Sequence, residues 1–195
     1  MTDSSSLPNI SSQREARLSR RAFAVWFTGL PCSGKTTLAT ALQQKLEAHG
    51  VNTALLDGDE LRKGLCSDLG YTDTDRTENI RRAAEASKLL IRYGVVTLNC
   101  FITPTGPLRR LARSIVGEAA FVEVFVKCPV AECERRDVKG MYRKARNGEI
   151  NDFTGVSAPF EEPDRADIVL NTNEKTVEQC VAALFDLVST RAAER

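Results

Sequence analysis

A short segment near the start of the chain has the residue types and the spacing of a phosphate-binding loop. Residues 29–36 read GLPCSGKT and match the pattern GxxxxGK followed by Ser or Thr at every fixed position. Lys35 is expected to reach the β- and γ-phosphates of a nucleotide, and the Thr36 hydroxyl to bind Mg²⁺. The segment therefore predicts a nucleoside triphosphate site. The residues assigned to the nucleotide here are Gly29, Ser33, Gly34, Lys35, Thr36 and Thr37.

Two carboxylates follow the second apolar run of the chain, residues 53–56. Asp57 and Asp59 stand where a strand of an open α/β sheet would face the ligand crevice, beside the phosphate-binding loop. A carboxylate there can orient Mg²⁺ or accept a proton from an attacking hydroxyl. The alternative is a polar turn, since Asp-Gly is common in turns. No acid ends the runs 95–102 and 121–126, and no NKxD tetrapeptide occurs, which argues against a GTPase or a large ATPase.

Arginines are concentrated downstream of these carboxylates. Arg62 lies one turn after Asp59, and Arg76 and Asn79 are three residues apart, so they share one face of a predicted helix. Arginine pairs well with tetrahedral oxyanions, which favours an anionic substrate. An exposed charged helix face is the alternative.

A segment without strand character runs from about residue 135 to residue 163, and we name it the lid segment. Lys139 begins a stretch with three glycines and two prolines, which is typical of an inserted lid. A basic lid over a phosphate chain excludes water from the reaction, whereas the alternative is a solvated basic helix. Six bases lie within twelve residues of it: Arg135, Arg136, Lys139, Arg143, Lys144 and Arg146.

Short apolar runs alternate with amphipathic stretches along the rest of the chain. The runs 23–27, 53–56, 95–102, 121–126 and 168–170 predict five strands. We expect Asp75 and Glu78 to cap the start of a helix whose buried face includes Ile80 and Ala83. Strands separated by helices imply an α/β fold: a three-layer sandwich with a mostly parallel five-stranded sheet, as in P-loop nucleotide kinases.

Length and composition fit one globular domain. The chain has 195 residues, a formal net charge of +1, six cysteines and one histidine. The near-neutral balance argues against nucleic-acid or membrane binding, and scattered cysteines favour free thiols in a cytoplasmic protein. We expect residues 1–21 to form a flexible tail and residues 22–195 to form the domain.

These features together resemble adenylylsulfate (APS) kinases from about Val25 to Thr172. The resemblance rests on many ordered strings that span nearly the whole domain. They include LDGD at 56–59 with Arg62, DLGY at 68–71, ENIRR at 78–82, KAR at 144–146, GEI at 148–150 and FTG at 153–155.

The resemblance implies that ATP phosphorylates the 3′-hydroxyl of adenylylsulfate in sulfate activation, with Mg²⁺ and in a homodimer. An association with ATP sulfurylase is left open by the sequence. Asp59 would be the catalytic carboxylate with Lys35, and Thr36, Asp57 and Asp59 would hold the metal. By resemblance, Arg136 would lie near the ATP base. The other assignments are to the substrate: Arg62, Arg76 and Asn79 on the phosphosulfate, Tyr71 and Phe153 around the adenine, and Ile102, Thr103 and the lid residue Lys139 as further substrate contacts.

One region departs from the family pattern. Members usually carry SAFISP, whereas residues 99–104 read NCFITP and residues 105–107 read TGP. Thr103 replaces a Ser sometimes described as a phosphoenzyme intermediate, a role that we do not expect here. The departure leaves open a kinase for the 3′-hydroxyl of another nucleotide, such as a CDP-linked one. A nucleotide-binding subunit without catalysis is disfavoured by the intact Lys35, Thr36, Asp57 and Asp59.

Overall fold

The computed structural model describes residues 22–193, in which five strands form one sheet. Every pairing in this sheet is parallel, and the strand order is β2-β3-β1-β4-β5. The expected tail at residues 1–21 lies outside the described residues. The strands are β1 (Ala24–Thr28), β2 (Thr53–Asp57), β3 (Val96–Cys100), β4 (Phe121–Lys127) and β5 (Ile168–Asn171).

Helices cover both faces of the sheet, as the alternating sequence pattern predicts. The described helices are α1 (Lys35–Ala48), α2 (Gly58–Leu61), α3 (Asp73–Arg92), α4 (Gly106–Val116), α5 (Val130–Arg136), α6 (Met141–Arg146) and α7 (Val177–Ala193), with a 3₁₀ turn at Glu118–Ala120. None of them is long and apolar enough to cross a membrane.

Two apolar cores lie on opposite faces of the sheet. One contains Val25 of β1 with Leu42 of α1 and Leu184 of α7. The other contains Trp26 of β1 and Ala83 of α3, together with side chains of α4. Because successive residues of β1 point to opposite faces and both faces are covered, every residue of β1 is buried. The predicted three-layer α/β sandwich is confirmed.

The start of α3 differs from the prediction. The helix begins at Asp73, and its N-cap is Thr72 rather than Asp75. The Thr72 hydroxyl oxygen accepts the backbone N–H of Asp75 at 3.2 Å, and the same hydroxyl donates to the Asp75 carboxylate at 2.8 Å. A Thr and an acid three residues apart therefore form the cap, one turn earlier than expected. The predicted buried face of the helix, with Ile80 and Ala83, is confirmed.

The lid segment packs on the phosphate-binding loop. It contains α6 and one isolated bridge between Thr154 and Ala158, so its lack of strands is confirmed. Tyr142 of α6 is buried and its hydroxyl donates to the backbone oxygen of Pro31 at 3.1 Å. A small third core joins this segment to Leu30 and to two buried thiols, Cys128 and Cys133. All six cysteines are free, as predicted.

The packing of α1 generates a stability prediction. Leu42→Ala should lower the free energy of unfolding by about 2–5 kcal/mol, because Leu42 is fully buried and truncation leaves a cavity. Urea unfolding followed by circular dichroism measures this change. Gln44→Ala, on the exposed face of the same helix, should stay within about 0.5 kcal/mol of the unsubstituted protein. Equal losses in the two variants would contradict the packing described here.

Candidate active site

Backbone geometry shapes the phosphate-binding loop between β1 and α1. Gly29 has φ +152°, and a Cβ on it would lie 2.5 Å from the backbone oxygen of Val126. Gly34, the N-cap of α1, has φ +103°. Ser33 is fully buried, and its Oγ has no hydrogen-bond partner within the described part of the chain. An orphaned buried hydroxyl at the start of a helix fits a site for an anionic ligand.

The Lys35 side chain folds back on this loop. Its ammonium group donates to the backbone oxygens of Gly29 at 3.0 Å and Leu30 at 2.7 Å. Both acceptors are backbone carbonyls of the loop itself. Burial lowers the pKa of Lys35 because desolvation disfavours its charged form. The predicted contact with β- and γ-phosphates would replace loop carbonyls with stronger acceptors.

The expected metal-binding residues are in direct contact. The Thr36 hydroxyl donates to the Asp57 carboxylate at 2.7 Å, and the other carboxylate oxygen accepts the backbone N–H of Asp59 at 2.9 Å. Thr36 reaches Asp57 although β3 lies between β1 and β2 in the sheet. These oxygens suit Mg²⁺, which is usually held by one or two carboxylates plus substrate phosphates. Residues 22–193 contain no cluster of three or more His, Cys, Asp or Glu residues that could hold a metal.

Asp59 and Lys139 form an ion pair between the end of β2 and the lid segment. Both side chains are exposed, at 65% for Asp59 and 66% for Lys139. The hydrogen bond and the charge of Asp59 raise the pKa of the Lys139 ammonium group. The structure thus brings together two predicted site residues that are far apart in sequence.

Arg136 contacts the phosphate-binding loop and the residue that follows β5. Its guanidinium group donates to the backbone oxygens of Ser33 at 3.4 Å and Thr172 at 2.8 Å. The Thr172 hydroxyl also donates to the Ser33 oxygen, at 2.8 Å. Sequence reasoning missed Thr172, although its place directly after β5 is a signal for a ligand-facing residue. Thr37 is exposed in the first turn of α1.

Arg62 is directed toward the loop before α3. It donates to the backbone oxygens of Leu69 at 3.1 Å and Gly70 at 2.7 Å, and its guanidinium carbon lies 4.4 Å from the centre of the Tyr71 ring. The Tyr71 residue is 64% exposed, which leaves ring surface open for a ligand.

Arg76 connects the two segments that carry the predicted stacking rings. Its guanidinium group donates to the backbone oxygen of Tyr71 at 2.8 Å and to that of Asp152 at 2.6 Å. Phe153 is buried and packs edge-on against Tyr142, with ring centres 4.9 Å apart. Asn79 is also buried, and its Oδ1 has no partner among the residues described.

Thr103 occupies a strained and buried position. It has φ +45°, which is rare for a β-branched residue, and its hydroxyl oxygen accepts the indole N–H of Trp26 at 3.0 Å. The neighbouring Ile102 is half-buried, and its backbone oxygen accepts the Thr28 hydroxyl at 2.7 Å.

Comparison with known sequences identifies the family. The family profile described as adenylylsulphate kinase matches residues 21–171. The chain belongs to this family. It is 48% identical over 180 residues to the adenylyl-sulfate kinase of Bacteroides fragilis, covering 92% of this chain and 89% of that protein. It is 50% identical over 181 residues to the Clostridium kluyveri adenylyl-sulfate kinase, covering 93% and 90% respectively.

Solved structures show the same similarity in three dimensions. The Mycobacterium tuberculosis APS kinase in complex with AMPPNP and APS superposes with a TM-score of 0.84 at 41% identity, covering 87% of this chain and 99% of that one. A gluconokinase from Sinorhizobium meliloti, at 15% identity and a TM-score of 0.55, shares the fold alone. The family's fold therefore extends to kinases of other small molecules.

The close approach of the loop to β4 generates a second prediction. Gly29→Ala should lower the free energy of unfolding by about 1–3 kcal/mol and weaken binding of a non-hydrolysable ATP analogue about tenfold or more. The reason is that the new methyl group would clash with the Val126 carbonyl in a backbone region that disfavours side chains. Calorimetric titration and thermal unfolding measure both effects.

Gly64→Ala is the matched control for this prediction. No atom lies within 4 Å of a Cβ built on Gly64, so both measurements should stay near those of the unsubstituted protein. Unchanged nucleotide affinity in Gly29→Ala would show that the loop tolerates the side chain.

Proposed function

We propose an assignment of roles for this chain, which is an ATP-using kinase that phosphorylates the 3′-hydroxyl of adenylylsulfate to give 3′-phosphoadenylylsulfate and ADP. The observation that carries the assignment is the adjacency of two contacts, the Thr36–Asp57 hydrogen bond and the Asp59–Lys139 ion pair. Because one residue separates Asp57 from Asp59, the proposed metal ligands and the proposed proton acceptor would lie together at the mouth of the phosphate-binding loop.

Asp59 is assigned as the catalytic carboxylate. Its side chain is mostly exposed, so an incoming hydroxyl can reach it, and it would accept the proton that the 3′-hydroxyl loses during transfer. Lys139 would then exchange its contact with Asp59 for one with the phosphate oxygens as the lid segment closes. Phosphoryl transfer requires mainly positioning and charge neutralisation, and these two residues would contribute to both.

The nucleotide side is assigned to the phosphate-binding loop and Arg136. Lys35 would leave the loop carbonyls and bind a phosphate group. Gly29, Ser33 and Gly34 would let the loop backbone approach that phosphate, and Thr37 would add a further contact at the start of α1. Mg²⁺, when bound by Thr36, Asp57 and Asp59, would neutralise charge on the β- and γ-phosphates. Arg136 is placed beside Thr172 and the loop, which suits contact with the ATP base.

The substrate side is assigned to the groups around Arg76. Arg62, Arg76 and Asn79 would bind the phosphosulfate, since guanidinium groups match tetrahedral oxyanions. Tyr71 and Phe153 would stack on the substrate adenine. Arg76 contacts the backbone beside both rings, which supports a common site for them. Ile102 and Thr103 would contribute backbone contacts.

The second candidate function is a kinase for another nucleotide, such as a CDP-linked one. Its only support is that residues 103–107 differ from the family sequence pattern. In the structure Gly106 begins α4 and its backbone N–H donates to Glu161, so this segment is occupied with protein contacts. ADP release with adenylylsulfate, AMP, CMP and CDP-linked nucleotides separates the candidates. Turnover with adenylylsulfate alone supports the assignment.

The role of Asp59 gives a third prediction. Asp59→Asn should lower kcat for adenylylsulfate about 10²- to 10⁴-fold, because the amide cannot accept the proton. The melting temperature should change by less than about 2 °C, since the side chain is mostly exposed. The neighbouring control Glu60→Gln, whose side chain pairs with Lys63 at the surface, should keep its activity. Near-normal kcat in Asp59→Asn would remove this residue from the mechanism.

The metal assignment gives a fourth prediction. Thr36→Val should raise the Mg²⁺ concentration needed for half-maximal activity about 10- to 100-fold, because the hydroxyl that contacts Asp57 is lost. Thr36→Ser restores a hydroxyl and should restore the Mg²⁺ dependence. A Mg²⁺ titration of ADP release makes the comparison, and an unaltered curve for Thr36→Val argues against a metal ligand there.

We further propose a homodimer, an association with ATP sulfurylase and a cytoplasmic location. Exposed apolar side chains near and along α3, Leu65, Leu89 and Tyr93, support a protein interface. Six free thiols are consistent with a reducing compartment.

A further inference from the structure

A buried arginine outside the assigned site contacts the end of the lid segment. Arg109 of α4 is 7% exposed. Its guanidinium group donates to the backbone oxygen of Thr103 at 3.2 Å and to that of Glu161 at 2.8 Å. Its Nε also lies 3.4 Å from the Glu123 carboxylate in the middle of β4, which Arg113 contacts as well, at 3.0 Å.

Glu161 adds two hydrogen bonds between the lid segment and residues 104–106. We call these two bonds and the Arg109 contacts the junction. The Glu161 carboxylate accepts the backbone N–H of Gly106 at 2.7 Å, at the start of α4. Its own backbone N–H donates to the Pro104 oxygen at 2.8 Å. With the Arg109 contact, three hydrogen bonds therefore link Glu161 to Pro104, Gly106 and Arg109, and the first two of these lie in the stretch that departs from the family pattern.

We propose that Arg109 and Glu161 are positioning residues that set the substrate half of the site. They connect the C-terminal end of the lid segment to Thr103, and they hold this residue in its left-handed backbone conformation. Ile102 and Thr103 then keep a constant position relative to Phe153, which lies eight residues before Glu161 in the lid segment. The inference rests on the proposed substrate roles of Ile102, Thr103 and Phe153.

This role predicts an effect on one substrate and not on the other. The Arg109 and Glu161 contacts reach Thr103, Pro104 and Gly106, whereas Arg136 and Lys35 on the nucleotide side make their contacts elsewhere. Loss of the junction should therefore raise KM for adenylylsulfate and leave KM for ATP unchanged. A purely structural role would lower stability and affect both substrates together.

Glu161 allows a clean test because its side chain is exposed. Glu161→Ala should raise KM for adenylylsulfate about 3- to 10-fold, the factor expected when one positioning hydrogen bond is lost. KM for ATP and kcat should stay within about twofold, and the melting temperature within about 2 °C. Glu161→Gln keeps an oxygen that accepts the Gly106 N–H and should restore the low KM.

The matched control is the next residue. Glu162→Ala removes an exposed carboxylate that pairs only with Lys127 among the described residues, and it should leave both KM values unchanged. Arg109→Lys should raise KM for adenylylsulfate more than Glu161→Ala does, with thermal unfolding to verify its fold. An unchanged KM for adenylylsulfate in Glu161→Ala, or an equal rise for both substrates, overturns the inference.

Failure of the proposed function would be seen separately. It would appear as turnover of the unsubstituted protein with a different nucleotide instead of adenylylsulfate, or as no turnover at all. The same comparison then applies to the nucleotide that is turned over, or to dissociation constants measured calorimetrically for adenylylsulfate and an ATP analogue. A selective loss for the non-ATP ligand in Glu161→Ala still supports the positioning role, and its absence overturns it.

Discussion

The arrangement of the site depends on two hydrogen bonds that the Asp57 carboxylate accepts. One of its oxygens binds the Thr36 hydroxyl at the start of α1, and the other binds the backbone N–H of Asp59. A single side chain thus connects the phosphate-binding loop to the turn that carries the proposed catalytic carboxylate. β2 and β1 both pair with β3, so the sheet carries the two strand ends to the same edge, and this contact then joins them directly across the end of β3.

The lid segment is held by contacts of unequal strength. The ion pair between Lys139 and Asp59 is exposed, and exposed pairs contribute only about 0–1 kcal/mol, so it can exchange with a ligand at little cost. At the other end the buried Arg109 guanidinium donates to the Glu161 backbone oxygen at 2.8 Å, and a hydrogen bond from a charged donor contributes about 1.5–3 kcal/mol. These differences favour movement at the Lys139 end and a fixed anchor at the Glu161 end.

The parts of the fold and of the site that could be predicted from sequence are those that depend on residues adjacent in the chain. The P-loop glycines, the apolar runs and the carboxylates after β2 are properties of adjacent residues, and the predicted strands and parallel sheet are confirmed. Thr72 was missed because Asp75 offers a similar cap in sequence. Thr172, Arg109 and Glu161 escaped detection because the contacts that matter join distant parts of the sequence, such as Arg109 with Glu161 and Thr172 with Ser33. Both of these contacts also end on a backbone oxygen, which any residue supplies.

Thr103 shows how a departure from a family pattern can leave the chemistry unchanged. Its hydroxyl is buried and accepts the Trp26 indole, and its backbone oxygen accepts Arg109, so both polar groups serve to hold a strained backbone. A phosphoenzyme would require this hydroxyl to leave the Trp26 contact and reach the γ-phosphate. Direct transfer between ATP and the 3′-hydroxyl requires no such movement, because Asp59 already stands exposed beside the Thr36–Asp57 pair. The geometry therefore favours a positioning role for this segment over a covalent one.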